Sequence, residues 1–213
     1  MTINLSSLRK DYRYSVLDEQ SVSPDPVIQF SLWLQEALDA GIDHANAMIL
    51  STADPEGNVS ARVVLLKGAE QRGFTFFTNY QSKKGLQLAA NPKAALTFLW
   101  IAVERQVRIE GVVSKVSRKE SVAYFNSRPA DNRVSACVSP QSAVIPDRSF
   151  LEAMKDGVLL DLGDSQVKCP EDWGGYVLKP TMIEFWQGRE GRLHDRLRYR
   201  MKRKRWILER LAP

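Results

Sequence analysis

Short segments of strand-type composition recur at close spacing along most of this chain, and they constrain its fold more than any other feature. Seven compact apolar or alternating runs cover residues 47–53, 59–67, 74–78, 94–101, 106–116, 175–186 and 197–211. Turn-type residues separate the early runs, at 54–58 and 70–73. About six or seven short strands with few helices between them predict a mainly β protein, an antiparallel barrel with peripheral helices.

Four helices are predicted around these strands. The first begins at Asp25, which suits the N-cap, and Pro26, whose missing N–H costs nothing in a first turn. Gly41 is suited to end that helix. Further helices are predicted over 82–90, 118–127 and 147–155, whereas 157–172 shows no clear period. The polar segment 1–23 predicts a mobile arm, and 24–213 a single domain.

The composition excludes several classes of protein. The chain has 213 residues, 44% of them hydrophobic, and no apolar run approaches the ~18 residues that a membrane span needs. Residues 1–14 are polar and lack the apolar centre of a secretory signal. Cys137 and Cys169 are too few for a disulfide framework, and no Cys pair has metal-ligand spacing. We therefore expect a cytoplasmic protein with no metal and no membrane partner.

Positive charge is concentrated near the C-terminus. The net charge is +5, and residues 189–210 hold ten Lys and Arg against three acidic residues, which leaves 20 basic and 22 acidic residues elsewhere. Such a segment can bind nucleic acid, a membrane surface or small phosphorylated ligands. The slight excess of acidic over basic residues in the rest of the chain argues against nucleic acid as the ligand. The scarcity of aromatic residues near the segment argues against it as well.

The stretch 184–196 is the most informative for chemistry. If 192–196 is extended, Arg192, His194 and Arg196 share one face of the strand. Two fixed cations and an imidazole suit an anionic, aromatic ligand that exchanges protons. The alternative is a solvated basic strand with an incidental histidine.

Two further groups of hydrogen-bond donors lie at the ends of predicted strands or at the start of a predicted helix. Arg62 and Lys67 bracket an apolar strand, and strict alternation places them on opposite faces, so a shared ligand requires a bulge, a bend or a second ligand. They also fit the exposed ends of an ordinary strand. Thr78, Lys83 and Lys84 lie before or at a helix start, where backbone N–H groups add to an anion site. Lysines at helix starts are common, however.

Tyr124 and Arg128 lie four residues apart, so on a helix they face the same way and can grip a phosphate together. A place in the core suits Tyr124 equally well. Gln106, Gln141 and Ser142 are polar residues next to apolar ones. They fit either a ligand site or hydrogen-bonded positions in the core.

Common catalytic signatures are missing from the sequence. It contains no G-x-G-x-x-G, no Walker loop, no G-x-S-x-G and no H-E-x-x-H. Hydrolysis by a catalytic triad or a metal therefore has little support. Trp173 and Trp186 most often mark packing positions.

Eight motifs occur in order over nearly the full chain. They are RVVLLK from Arg62, FFTNYQSKKG from Phe76, ERQVRIEG from Glu104, YFNSRP from Tyr124, QS at Gln141, WGGY at Trp173, EFWQGREGRLHDR from Glu184 and ERLAP at the C-terminus. Together they resemble the pyridoxamine 5′-phosphate oxidase family. The resemblance implies a split-barrel flavin fold and a homodimer with FMN at the subunit interface. It also implies oxidation of pyridoxamine or pyridoxine 5′-phosphate by O2 to pyridoxal 5′-phosphate, with release of H2O2 and, from the amine, ammonia.

The same resemblance implies residues for the FMN site. The FMN phosphate would be held by Arg62, Lys84, Thr78, Lys83 and Ser142. The rest of the flavin site would comprise the backbone of Val63, Val64, Leu65, Leu66 and Lys67 together with Phe77, Gln106, Gln141, Trp186 and Arg196.

For the substrate, the resemblance implies a phosphate site and a ring site. The phosphate would be bound by Lys67, Tyr124, Arg128 and Asn132, where the family commonly has Ser at the last position. Arg192 and His194 would be the catalytic residues that contact the pyridine ring, with Leu193 between them. Arg9 and Tyr12 of the arm would close over the ring, although the chain after Tyr12 lacks the family's usual glycine and basic residues.

Three other functions stay open on the sequence. One is a split-barrel flavoprotein with a different substrate or a deazaflavin-like cofactor, against which the match of Arg192, His194, Tyr124 and Arg128 argues. Another is a carrier of FMN or pyridoxal phosphate without catalysis, which would release no peroxide. The third is a nucleic-acid binder, whose affinity would fall steeply with salt.

Overall fold

The structure, a computed structural model, describes residues 15–162 and 167–213. The helices and strands in this part of the chain are α1 Pro26–Asp39, β1 Ala47–Ala53, β2 Val59–Leu65, β3 Gly68–Glu70, β4 Gly73–Asn79, α2 Lys83–Ala90, β5 Lys93–Trp100, β6 Arg105–Lys115, α3 Arg118–Asn126, α4 Ala130–Val138, α5 Arg148–Leu162, β7 Trp173–Gln187, β8 Asp195–Lys202 and β9 Arg205–Arg210.

The strands form one sheet with the order β2-β1-β5-β6-β7-β4-β3, and β8 and β9 extend from β7. The long strand β7 pairs antiparallel with β4, where Phe77 lies opposite Gly175, and with β8, where Trp186 lies opposite Arg196. The predicted mainly β, antiparallel architecture is confirmed.

The chain divides into two compact units, which we describe separately. The described part of the first unit comprises 15–49, Ala95–Glu110 and Pro180–Pro213, and the second unit comprises Leu50–Ala94 and Gly111–Lys179.

Aromatic side chains of α1 form the core of the first unit. Phe30 is fully buried, and its ring centroid lies 4.9 Å from that of Phe98 on β5. Trp33 meets Phe185 of β7 edge to face at 5.1 Å. Such tilted and edge-on pairs add to the free energy of apolar burial.

Side-chain caps explain why the helices start where the sequence predicts. Asp25 Oδ1 accepts the N–H of Val27 at 2.8 Å, and Pro26 occupies the first turn of α1. Ser82 Oγ accepts the N–H of Gly85 at the start of α2, and Ser117 caps α3 in the same way.

The segment before α1 is attached to the last hairpin of the first unit. The N–H of Leu17, which is buried, donates to Asp195 Oδ2 at 3.1 Å. Arg210 on β9 pairs with Glu19 at 2.6 Å and with Asp195 at 2.9 Å.

The structure differs from the sequence-based expectations in four places. The short strand β3 and the helix α4 were not predicted, since α4 follows Pro129 without a side-chain cap. Helix α5 continues to Leu162 instead of ending near Lys155, because the helix accommodates Gly157, which has open space around it. The run 197–211 is two strands, joined by a turn in which Arg203 and Lys204 both have left-handed φ.

Across the two described ranges, no helix has the length and apolar character needed to span a membrane.

Gly73 begins β4 at a position where a side chain has no room. Its φ is +132°, and an added Cβ would collide with the Leu178 carbonyl of β7. Gly57 also has a positive φ, +87°, but open space around it.

We predict that Gly73→Ala lowers the free energy of unfolding by about 3 kcal/mol, because it adds a steric clash to the backbone penalty. The matched variant Gly57→Ala should lose only about 1 kcal/mol, the backbone penalty alone. Urea denaturation measures both values. Equal losses in the two variants would contradict the steric account.

Candidate active site

A cavity of about 770 Å³ in the second unit gathers most of the predicted site residues. It is lined by Ser60, Ala61, Arg62, Val63, Val64, Leu65, Lys67, Phe77, Thr78, Lys83, Lys84, Tyr124, Arg128, Asn132, Gln141, Ser142 and Trp173. Five of these described residues are cations and none is a carboxylate. The cavity therefore favours anions.

Arg62 lies on β2 and is held by neutral hydrogen-bond acceptors. Its Nη1 donates to Leu50 O at 3.0 Å and to Thr52 Oγ1 at 2.7 Å, and its Nη2 donates to Ser60 Oγ at 2.8 Å. Both hydroxyls in turn donate to Gln87 Oε1 of α2, each at 2.6 Å. Partial burial lowers the pKa of Arg62. The guanidinium is thus fixed in orientation while its charge stays uncompensated by these partners.

Lys84 completes this end of the cavity from the first turn of α2. Its Nζ donates to Thr78 Oγ1 at 3.1 Å and to Gln141 Oε1 at 2.8 Å. Burial, and then the positive charge of Arg62, lower the pKa of Lys84 to about 8. An anion bound between the two cations would relieve both effects. We call this end of the cavity the anion site, because its two cations and their neutral partners suit an anion.

Aromatic rings and a further, partly buried cation form the other end of the cavity. The rings of Phe77 and Tyr124 stack at 3.9 Å, and Trp173 lies nearly parallel to Phe77 at 5.6 Å. The Arg128 guanidinium lies 4.9 Å from the Trp173 ring centroid. Burial lowers the pKa of Arg128, and within the described ranges its buried Nη1 has no hydrogen-bond partner. Arg128 is a donor suited to a second anion.

Lys67 corrects an expectation based on strand alternation. Strand β2 ends at Leu65, so the period of two that would separate Lys67 from Arg62 does not reach Lys67. Both cations line the same cavity, with the Lys67 Nζ 6.0 Å from the Tyr124 ring centroid. Leu66, between them, is buried in the core.

The remaining predicted residues that the structure describes lie in the first unit. Gln106 of β6 and Trp186 of β7 line a smaller cavity of about 320 Å³, together with the exposed apolar side chains of Leu99 and Ile101. Arg196 of β8 lies opposite Trp186 in the sheet.

His194 is oriented by the turn that precedes β8. Its ring lies 4.7 Å from the Trp186 ring, and its Nδ1 accepts the backbone N–H of Arg189 at 3.1 Å. A neutral imidazole that accepts at Nδ1 carries its proton on Nε2. In its neutral form His194 is therefore a donor at Nε2.

The expected row of Arg192, His194 and Arg196 along one strand face is wrong. A 3₁₀ turn covers Glu190–Arg192, and β8 begins only at Asp195. Gly191 and Arg192 both have left-handed φ, +63° and +61°, which an extended strand does not allow. Arg192 and Leu193 are exposed on this turn.

The residues that position Arg62 in the site were not identified from the sequence. Thr52, Ser60 and Gln87 position Arg62, yet none of them belongs to a motif that we singled out. Ser60 and Arg62 share a strand face, which is a local signal, but Gln87 comes from a distant helix. Arg9 and Tyr12 lie outside the described residues.

Comparison with known proteins identifies the family. The chain matches the family model described as Pyridoxamine 5′-phosphate oxidase over residues 34–159, and the model described as Pyridoxine 5′-phosphate oxidase C-terminal dimerisation region over 173–213. The chain belongs to the pyridoxamine 5′-phosphate oxidase family. It is 53% identical over 213 residues to the pyridoxine/pyridoxamine 5′-phosphate oxidase of Cyanothece sp., covering both chains completely. It is 51% identical over 210 residues to that of Polynucleobacter asymbioticus, covering 99% of each.

Two solved structures share the fold of this chain. PhzG from Burkholderia lata 383, in complex with tetrahydrophenazine-1-carboxylic acid, is 28% identical with a TM-score of 0.87, over 93% of this chain and 98% of that one. A pyridoxamine 5′-phosphate oxidase-related, FMN-binding protein from Nostoc punctiforme has a TM-score of 0.71 at 16% identity, over 90% and 100%. The predicted split-barrel fold class is confirmed.

The lowered pKa of Lys84, near 8, gives the anion site a pH dependence. Bound phosphate stabilises the charged lysine, so binding above pH 8 takes up a proton and the affinity falls as the pH rises. We predict that the affinity for inorganic phosphate falls about 20-fold between pH 7.5 and 9.5, the limit for full coupling to one proton. Calorimetry in two buffers measures the affinity and the proton uptake.

The neighbouring lysine provides the control for this experiment. Lys84→Met should remove the pH dependence, whereas Lys83→Met, which changes an exposed lysine on the same turn, should keep it. A pH dependence that survives Lys84→Met would assign the titration to another group.

Proposed function

We propose that this oxidase-family protein oxidises pyridoxamine 5′-phosphate and pyridoxine 5′-phosphate to pyridoxal 5′-phosphate, using FMN and O2. The observation that carries the proposal is the cavity with five cations, no carboxylate and stacked aromatic rings. One end presents Arg62 and Lys84 and the other presents Arg128. Two phosphate-bearing aromatic molecules match this arrangement, and the curated relatives bear the name of this oxidase.

The residues at the first end of the cavity fit the phosphate of FMN. Arg62 and Lys84 supply two desolvated cations, and their pKa values are lowered by burial as expected of cations that lack an anionic partner. Thr78, Lys83 and Ser142 add donors to the same wall.

The flavin ring would be held by the other residues that we assign to the cofactor. We propose that the backbone of 63–67 and the side chains of Phe77 and Gln141 contact it. We also assign flavin contacts to Gln106, Trp186 and Arg196.

We propose a homodimer with active sites at the subunit interface. The region 173–213, which matches the dimerisation model, contains Trp186, His194 and Arg196. Such an assembly allows residues of one copy to complete the site of the other.

The substrate phosphate would bind at the second end of the cavity. The buried Nη1 of Arg128 is an available donor, and Lys67, Tyr124 and Asn132 line the same region. Asn132 carries an amide donor in place of the usual serine hydroxyl, so it still contributes a hydrogen bond to phosphate.

When bound, FMN would supply the acceptor for a hydride from C4′ of the substrate, and O2 would be the final acceptor of the two electrons, giving H2O2. The protein orients the substrate and supplies charge. Arg192 would hold the pyridine ring in place, and the Nε2–H of His194 would donate to a ring substituent. From the amine substrate, the resulting imine is hydrolysed to the aldehyde and ammonia.

The arm 1–23 is proposed to act as a lid, with Arg9 and Tyr12 closing over the bound pyridine ring. The attachment of Leu17 to Asp195 would hold the end of the lid next to β8.

We also propose a cytoplasmic location, in keeping with the two free thiols of Cys137 and Cys169.

The direct experiment is to purify the protein, identify its bound flavin and assay aldehyde and peroxide formation from both substrates in air. The proposal predicts FMN and one peroxide per aldehyde. FMN without peroxide would indicate a carrier. Peroxide only from a different substrate would indicate another split-barrel flavoprotein.

Arg128 should recognise the phosphate of the substrate specifically. We predict that Arg128→Gln raises the KM for pyridoxamine 5′-phosphate about 10- to 100-fold, the usual loss of a charge-assisted hydrogen bond. With pyridoxamine, which lacks the phosphate, the same variant should differ little from the wild type. An equal loss with both substrates would place Arg128 elsewhere in the mechanism.

Arg192 should act on the rate of the chemical step. We predict that Arg192→Met lowers kcat about 30- to 1000-fold, which corresponds to ~2–4 kcal/mol of barrier. Arg189→Met changes the neighbouring arginine in the same turn and keeps the backbone N–H that orients His194, so its kcat should stay near wild type. Unchanged turnover in Arg192→Met would reject the assignment.

A further inference from the structure

We infer that Glu184 is a positioning residue, which fixes the Arg196 guanidinium where the flavin ring binds. The inference rests on the proposed contact between Arg196 and FMN. Glu184 lies on β7, and its side chain is only 4% exposed. It accepts the Nε–H of Arg196 at 2.8 Å and an Nη1–H of Arg108 at 3.3 Å. A carboxylate this deeply buried is stable only with such cationic partners.

The sheet register brings Glu184 and Arg196 together. Arg196 lies directly opposite Trp186 on the neighbouring strand, and Glu184 is two residues from Trp186, on the same face. Glu184 is therefore the diagonal neighbour of Arg196, within reach of its long side chain. Two proposed flavin contacts, Trp186 and Arg196, thus share a face with the buried carboxylate.

Arg196 is held at a second atom as well. Its Nη1 donates to the Ala212 carbonyl at 2.8 Å, so both Nε and Nη1 have fixed partners. A planar guanidinium that is held at two nitrogens has a defined plane and direction. Only 25% of the Arg196 side chain is exposed.

The charges of this cluster are balanced. Arg108 also pairs with Glu110 at 3.2 Å, so two arginines face two glutamates. Arg196 therefore presents directed donors to the flavin and little surplus charge. Without the charge of Glu184, Arg196 would lose its orientation, and the site would become more positive.

Glu110 offers a matched control, since it pairs with Arg108 but has no contact with Arg196 in the described structure and is 48% exposed. We predict that Glu184→Gln raises the dissociation constant for FMN about tenfold, the loss expected for a charge-assisted hydrogen bond. It should also shift the flavin midpoint potential to more positive values, because added positive charge favours the reduced, more anionic flavin. Glu110→Gln should change the dissociation constant less than about twofold.

Fluorescence titration of the apoprotein with FMN and a spectroelectrochemical titration measure the two quantities. If Glu184 acts through Arg196, the double variant Glu184→Gln/Arg196→Gln should bind FMN no more weakly than Arg196→Gln alone. Additive losses, or a Glu184→Gln variant that binds FMN as tightly as Glu110→Gln, would overturn the inference.

Two outcomes of this experiment have distinct meanings. A wild-type protein that binds no FMN would refute the proposed function, whereas normal FMN binding in Glu184→Gln would refute the positioning role alone. If Glu184→Gln does not fold, Glu184→Asp takes its place, since it keeps the charge but shortens the reach. Glu184→Asp should weaken FMN binding and leave the potential near wild type, and unchanged binding would overturn the inference.

Discussion

Partly buried positive charge that has no carboxylate partner among the described residues determines what the larger cavity can bind. Arg62, Lys84 and Arg128 are partly buried, and burial lowers the pKa of each. Their contacts are with hydroxyls, amides, carbonyls and an aromatic ring. These partners are neutral, so the electrostatic cost of desolvating the cations remains until an anion binds. Phosphate binding offsets that desolvation cost. The affinity for phosphate therefore depends on how the second unit buries and holds these cations.

The two units orient their arginines by different means. In the second unit, Gln87 fixes the hydroxyls that hold Arg62, and all of these partners are neutral. In the first unit, Glu184 holds Arg196 and cancels most of its charge. The neutral partners of Arg62 leave its positive charge available to a phosphate. The carboxylate of Glu184 instead fixes the direction in which Arg196 donates to the flavin ring. Each suits the part of FMN that we assign to it.

Much of the fold was predictable, since its signals are local. The caps at Asp25 and Ser82 follow from residue type, and the limits of β1, β2, β4, β5, β6 and β7 agree with the predicted runs within a few residues. Periodicity failed where the backbone departs from a regular strand, as at Arg192 with its left-handed φ. The cations were found from the sequence motifs, but Gln87 was not, because its role arises from contacts that only the folded chain creates.

The proposed reaction requires that the substrate and FMN bind together, with the substrate phosphate at Arg128 and the substrate ring next to the flavin. Anaerobic mixing of the FMN-loaded protein with pyridoxamine 5′-phosphate is the decisive measurement. We expect the absorption of oxidised flavin to disappear in a single turnover and to return when O2 is admitted, with one aldehyde formed per flavin. A flavin that stays oxidised while the substrate is bound would refute the proposed arrangement.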